Sequence, residues 1–200
     1  MAGLIGVFGG TFDPPHIGHL VLASEARAAL GLERVLWVVT AQPPHKPYEP
    51  ITPVDIRLEM VEAALAGNAA FEPSRAEIDR PGPHYAVDTL RWLNERHPGA
   101  RWAYLIGADS LRDLPAWHTP EALLDAVTIL GVMRRPEVEP DLAALEARLP
   151  GLSQKLHFFD APLIGVSASD IRRRVREGEP YRYLVPPGVP ELIERHHLYR

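Results

Sequence analysis

Five short apolar runs, rich in β-branched and aromatic residues, recur along the chain with helical patterns between them, and this alternation restricts the fold more than any other feature. The runs are residues 4–8, 35–39, 102–106, 127–133 and, more weakly, 156–159. Each is apolar at consecutive rather than alternate positions, the pattern of a strand buried on both faces. Helical patterns occupy 17–30, 53–65 behind Thr52, 85–95, and 120–126 behind Thr119. The second and fourth open with Thr then Pro, the order expected for a cap followed by a first turn. Strands alternating with helices build βαβ units, so the expected class is α/β: a doubly wound, mostly parallel sheet with helices on both faces. With 200 residues, 46% of them hydrophobic, the chain can fill one sizeable core. One domain over 1–200 is expected, because no repeat or low-complexity tract divides it and 136–140 reads as a local break.

Composition removes several function classes. Without cysteine there is neither a disulfide framework nor a thiolate metal site. No run approaches the roughly 18 apolar residues of a membrane span, and no basic stretch precedes an apolar one at the start, so a cytoplasmic protein is expected. A formal charge of -5 argues against broad nucleic-acid binding, although a local basic pocket fits within an acidic average. Only two of the 21 basic side chains are lysines, Lys46 and Lys155.

The first apolar run leads into GGTFDPPHIGH, residues 9–19, at the end of the first expected strand, where an open α/β sheet places its ligand crevice. Gly9 and Gly10 allow close backbone approach, and Pro14 and Pro15 stiffen a turn. His16 and His19 then share a face at the positive end of the following helix, where an anion sits well. Neither GxxxxGK[ST] nor GxGxxG is present. The pair could ligate a metal, but no third ligand is evident and the helix field opposes a cation. It could be two bland capping side chains. The double glycine, the preceding strand and the following helix favour a third reading, donors aimed at a phosphate. A second phosphate element reads similarly: Ser167 and Ser169 precede a helical pattern carrying Arg172, whereas Arg173, Arg174 and Arg176 read as a solvated face. Asp109, just after an expected strand end at Gly107, suits a ribose diol or a helix start.

Residues 9–19 resemble the signature of the nucleotidyltransferase superfamily with an HxGH motif. Further segments are similar to bacterial nicotinate mononucleotide adenylyltransferases: Pro43-Pro44-His45-Lys46, Tyr85-Ala86-Val87-Asp88-Thr89-Leu90, Ile106-Gly107-Ala108-Asp109-Ser110-Leu111 with Trp117, Arg135-Pro136, Val166-Ser167-Ala168-Ser169-Asp170-Ile171-Arg172, and Tyr183-Leu184-Val185-Pro186. The resemblance implies a Rossmann-like fold and a single nucleotidyltransferase domain. It implies ATP contacts from Gly9, Gly10, Thr11, Phe12, Gly107, Asp109, Ser167 and Ser169. Trp117 would stack on the nicotinate ring, with main-chain amides near Ala86 and His118 on its carboxylate. Tyr85, Thr89, His45, Lys46 and Arg135 would complete the mononucleotide site, the last three at its phosphate. Departures from the family pattern are Ala86 for Thr, His118 for an aromatic residue, Glu137 for Gly, and Ala168-Ser169 within the usual ISSTxIR. Asp88 and Thr89 match the motif, but their helical spacing fits a structural role equally well.

The expected chemistry is direct in-line attack by the mononucleotide phosphate on the α-phosphorus of ATP. His16, His19, Lys46 and Arg172 are the expected catalytic groups, by positioning and charge neutralisation. Mg2+ would ride mainly on the triphosphate, with no protein ligand assigned. ATP and nicotinate mononucleotide are the expected partners, with no nucleic acid or membrane, and homo-oligomer formation is left open. Alternatives are an adenylyltransferase for nicotinamide mononucleotide or phosphopantetheine, and a noncatalytic nucleotide-binding module. A tRNA synthetase core shares the HIGH tetrapeptide, but 200 residues give no room for an anticodon-binding domain.

Overall fold

A computed structural model describes residues 3–42, 51–136 and 138–200. Six strands form one sheet in which every neighbouring pair is parallel: β1 (Leu4–Gly10), β2 (Arg34–Val39), β3 (Phe71–Ser74), β4 (Arg101–Gly107), β5 (Ile129–Met133) and β6 (Leu156–Phe159). The spatial order is β3-β2-β1-β4-β5-β6. Chain direction across the sheet reverses between β1 and β4, which makes the crevice beyond their carboxyl ends the topological switch point.

Period-two alternation sends each strand's side chains into two separate cores. Ile5, Val7, Leu36, Val38, Trp102 and Tyr104 enter one, while Phe8, Val35, Trp37, Ala103 and Leu105 enter the other. Because both faces are covered, the runs look uniformly apolar in sequence. Helices α1 (Ile17–Leu30) and α2 (Val54–Leu65) cover the second face; α3 (Ala86–Arg96), α4 (Ala108–Asp113), α5 (Pro120–Ala126) and α6 (Leu142–Arg148) cover the first. The chain continues through α7 (Leu152–Lys155), α8 (Ala168–Glu177) and α9 (Val189–Arg195). The outer side of α2, through Met60 and Ala64, joins Ile171 of α8 and Val189, Leu192 and Ile193 of α9 in a third core.

The sheet is parallel throughout, and β3 is the strand that the sequence pattern did not reveal. It is a four-residue edge strand, FEPS, with one buried apolar residue, Phe71, and Pro73 at a position that only an edge tolerates. Neither threonine caps a helix with its side chain. Pro53 is the N-cap of α2, and Thr119 precedes α5 in a left-handed conformation with no side-chain bond. Thr52 serves the site instead.

Candidate active site

Beyond the carboxyl ends of β1 and β5 lies a cavity of about 740 Å³. One wall is the start of α1, with His16, Gly18 and His19; the opposite wall is 161–170 with Arg172, and Met133 and Arg135 close one side. The two expected phosphate elements therefore face a single space.

His16 is the N-cap of α1 and its imidazole stacks on that of His19, centroids 3.6 Å apart. The His16 amide donates to Nδ1 of His19 at 3.1 Å. That bond leaves the proton of a neutral His19 on Nε2, so its free ring nitrogen is a donor. Burial lowers the His16 pKa to about 4, and burial, followed by repulsion from His16, holds His19 well below 6.5. At neutral pH the pair is uncharged, so it can meet an anion as hydrogen-bond donors rather than as cations. Gly18 keeps this arrangement open: a Cβ there would stand 3.1 Å from His16 Nδ1. The first amides of α1 have no carbonyl within the helix to bond and add to the anion-binding field.

Gly10 turns out to serve packing first. A Cβ at Gly10 would lie 2.7 Å from the ring of Phe12, whose backbone is left-handed at φ 50° and whose side chain is buried against Phe8, His19 and Trp37. Phe12 can thus meet a ligand mainly through its main chain. A Cβ at Gly9 would approach Tyr104 Oη at 3.3 Å.

On the facing wall Ser167 is the N-cap of α8, accepting from the Asp170 amide at 3.2 Å, and its hydroxyl lies 3.0 Å from that of Ser169. Arg172 reaches across to donate to the Asp13 carbonyl at 2.8 Å. Arg173 and Arg174 are engaged by Asp170 and Glu179 in ion pairs, as a solvated face requires. Arg135 pairs with Asp109 at 3.2 Å, which joins a residue expected at the mononucleotide to one expected at ATP.

A second cluster forms around the start of α3. The ring of Tyr85, the α3 N-cap, stacks on His118 at 4.1 Å, and Trp117 stands edge-on to buried Tyr104 at 6.3 Å. Ala86 is the first residue of α3, so its amide has no partner in the helix. Thr89 is only 2% exposed; its hydroxyl lies 2.8 Å from Glu77 Oε1 and 3.2 Å from the Tyr85 carbonyl, while Arg80 donates to it at 3.0 Å. These bonds make Thr89 the brace of the Tyr85 turn. Asp88 is engaged at the surface by Arg91. His45, Lys46 and Glu137 lie outside the described residues.

Comparison with known proteins agrees with this geometry. A cytidylyltransferase-like family profile matches residues 7–174. The chain is 47% identical, over 98% of its length and 91% of the relative's, to a protein of Thermomicrobium roseum named probable nicotinate-nucleotide adenylyltransferase. A protein of Thermus thermophilus bearing the same name is 44% identical over 98% of this chain and 99% of its own. The chain belongs to the nicotinate-nucleotide adenylyltransferase family. The fold is shared with Plasmodium falciparum nicotinic acid mononucleotide adenylyltransferase complexed with NaAD, at a TM-score of 0.78 and 18% identity over 98% of this chain and 97% of that one. The same parasite protein complexed with APC superposes at 0.74.

Within this adenylyltransferase three buried charged residues that brace these segments escaped the sequence reading. Arg57 of α2 is 1% exposed and donates to the carbonyls of Thr52, Thr11, Thr40 and Ala41 at 2.8, 2.7, 2.8 and 3.1 Å. One buried guanidinium thereby fastens the exits of β1 and β2 and the start of α2. Glu77, 6% exposed, has its pKa raised to about 7 by burial, partly offset by Thr89. Asp13, 5% exposed, accepts from the Thr52 amide and from Tyr199. Only phase marked Arg57 in the sequence: it stands on the stripe continued by Met60, Val61 and Ala64.

Proposed function

We propose that this chain, as a single nucleotidyltransferase domain, transfers the adenylyl group of ATP to nicotinate mononucleotide, giving the deamido dinucleotide of NAD biosynthesis and pyrophosphate. The observation that carries the reading is the cavity between α1 and α8, which sets the histidine pair opposite Ser167, Ser169 and Arg172, in a chain related to this family over nearly its whole length.

The mononucleotide phosphate is already anionic near pH 7 and needs no general base. One of its oxygens attacks the α-phosphorus, a new P–O bond forms, and the bond to the β-phosphate oxygen breaks as pyrophosphate leaves. Neutral His16 and His19 donate to the phosphate oxygens as charge shifts among them, and the start of α8 with Ser167, Ser169 and Arg172 holds the departing end. Asp109 accepts from the ATP ribose. Lys46 adds charge and His45 a hydrogen bond at the mononucleotide phosphate, and Arg135 adds charge once it turns from Asp109. Trp117 stacks on the pyridine ring, while the amides near Ala86 and His118 hold its carboxylate. Among the described residues no three His, Asp or Glu side chains gather into a metal cage, and Asp13 is already held by Thr52 and Tyr199. A divalent ion such as Mg2+ would be carried mainly by the triphosphate and would offset its charge. With ATP as substrate, the compartment proposed is the cytoplasm; among the described residues no helix is long and apolar enough to cross a membrane.

The test offers purified protein ATP and magnesium with nicotinate mononucleotide, nicotinamide mononucleotide and phosphopantetheine in parallel, reading pyrophosphate. A carboxamide presents an NH2 to one of two amide donors, a mismatch of about 2–5 kcal/mol. Nicotinate mononucleotide should be preferred in kcat/KM by about thirtyfold to several thousandfold. Equal use of acid and amide would replace this assignment with a dual-specificity enzyme.

A further inference from the structure

Asp13 joins four segments that are far apart in sequence. Its Oδ1 accepts from the Tyr199 hydroxyl, its Oδ2 from the Thr52 amide at 3.2 Å, and its main-chain carbonyl from Arg172 at 2.8 Å. Tyr199 comes from the segment after α9, 186 residues from Asp13. That segment is seated independently: Leu198 and Tyr199 pack against the third core, and the Leu198 amide bonds the Ile193 carbonyl at 3.0 Å. Arg195 and His196 both reach Glu59 of α2, at 3.2 Å each. Two non-glycine residues here, His197 and Tyr199, have left-handed backbones at φ 51° and 63°, and Phe12, beside Asp13, has φ 50°. Strain on both sides of one hydrogen bond persists only where the surroundings over-determine it, and such positions cluster at functional sites.

We propose that Tyr199 is a positioning residue for adenylyl transfer, latching the segment after α9 onto Asp13 so that the 11–15 turn holds the histidine pair and Arg172 in register across the cavity. The latch acts through groups that touch substrate and touches none itself. Tyr199 serves as the donor at every working pH, since burial and the neighbouring Asp13 carboxylate push its phenol above the ordinary value of 10.0. Two arginines also face this bond: Arg57, tied to four carbonyls, and Arg172, which donates to the Asp13 carbonyl.

The kinetic part of the test rests on the function proposed above; the second readout does not. Tyr199→Phe keeps the ring and removes the hydroxyl, which donates to Asp13 and also meets the Thr52 side chain. It should lower kcat by about tenfold to a hundredfold, the scale of a small misplacement of reacting groups, with KM values for ATP and mononucleotide and the melting temperature nearly unchanged. Hydrogen exchange at the amides of residues 11–20 should quicken while β4 and β5 stay protected. Combining Tyr199→Phe with Asp13→Asn, which leaves one acceptor oxygen for two donors, should cost no more than the worse single change. If Tyr199→Phe does not fold, Asp13→Asn alone is read by the same two criteria. Wild-type kcat with unaltered exchange, or a loss of activity that merely follows a lowered melting temperature, overturns the latch. If the wild-type protein makes no dinucleotide, the functional reading fails and the exchange measurement still decides the latch.

Discussion

The two halves of the proposed site, one for phosphate and one for the pyridine ring, are built by different means. The phosphate half uses backbone and small groups: helix starts at His16 and Ser167, two uncharged imidazoles and one arginine anchored to a carbonyl. The pyridine half uses packed side chains, with Tyr85 on His118, Trp117 against Tyr104, and a buried Thr89–Glu77–Arg80 brace under the turn. Phosphate is recognised through charge that shifts during reaction, so fixed dipoles at close range suffice. A flat ring needs surface area and shape, which only an assembled set of rings supplies. Damage to the first half should therefore appear in kcat and damage to the second in KM.

The largest separation is expected at His19. Removing a preorganised donor costs about 3–4 kcal/mol, roughly a hundredfold to a thousandfold in rate. His19→Ala should show that loss in single-turnover kinetics at saturating ATP, with ATP affinity little changed. A chemical step close to wild type would remove His19 from its role and erase the contrast between the halves.

On the pyridine side Trp117→Ala should raise KM for nicotinate and nicotinamide mononucleotides alike by about tenfold to a hundredfold, the worth of about 1.5–3 kcal/mol of ring burial and stacking. His118→Ala should keep most of the acid-over-amide preference, because the proposed donor is its main-chain amide. Steady-state kinetics with both mononucleotides on both variants tests the division of labour. A Trp117→Ala enzyme impaired only in kcat would contradict it.

The same contrast explains what the sequence could reveal. The phosphate half is local: an eleven-residue stretch carries the turn and both histidines, and Ser167 to Arg172 lies within one helix start. The five apolar runs and four long helical patterns announce themselves because two-sided burial and helix period leave direct traces. What the sequence hid was relational. Edge strand β3 buries too little to make a pattern, and Gly10 looks like a ligand-facing glycine although its missing Cβ first makes room for Phe12. Arg57 is one arginine among many, flanked in α2 by Asp55, Glu59 and Glu62 like a surface residue, and only the folded chain brings four carbonyls to it. Tyr199 and Asp13 meet across nearly the full length of the chain.

The finest distinction between the halves is the direction in which pH moves stability. Folding lowers the His16 pKa from 6.5 to about 4, so below 6.5 the unfolded chain binds the extra proton, and stability is lost as pH falls through that window. Folding raises Glu77 from 4.5 to about 7; there the folded chain keeps a proton that the unfolded one has released, and stability is lost as pH rises from 4.5 to 7. Neither slope can exceed about 1.4 kcal/mol per pH unit. Glu77→Gln removes one tilt, and His16→Asn removes the His16 share of the other, since His19 is depressed in the same direction. Denaturant unfolding of the three proteins at pH 5 and 8 should therefore give opposite trends. Relative to wild type, Glu77→Gln fares better at pH 8 than at pH 5, and His16→Asn better at pH 5 than at pH 8. The gap for Glu77→Gln should be the clearer one, because those two conditions span most of its window, whereas His16 has completed a smaller part of its own by pH 5. Parallel profiles for wild type and Glu77→Gln would mean that the buried carboxyl does not change its proton affinity on folding, and the pyridine half would lose the property that most distinguishes it electrostatically from the phosphate half.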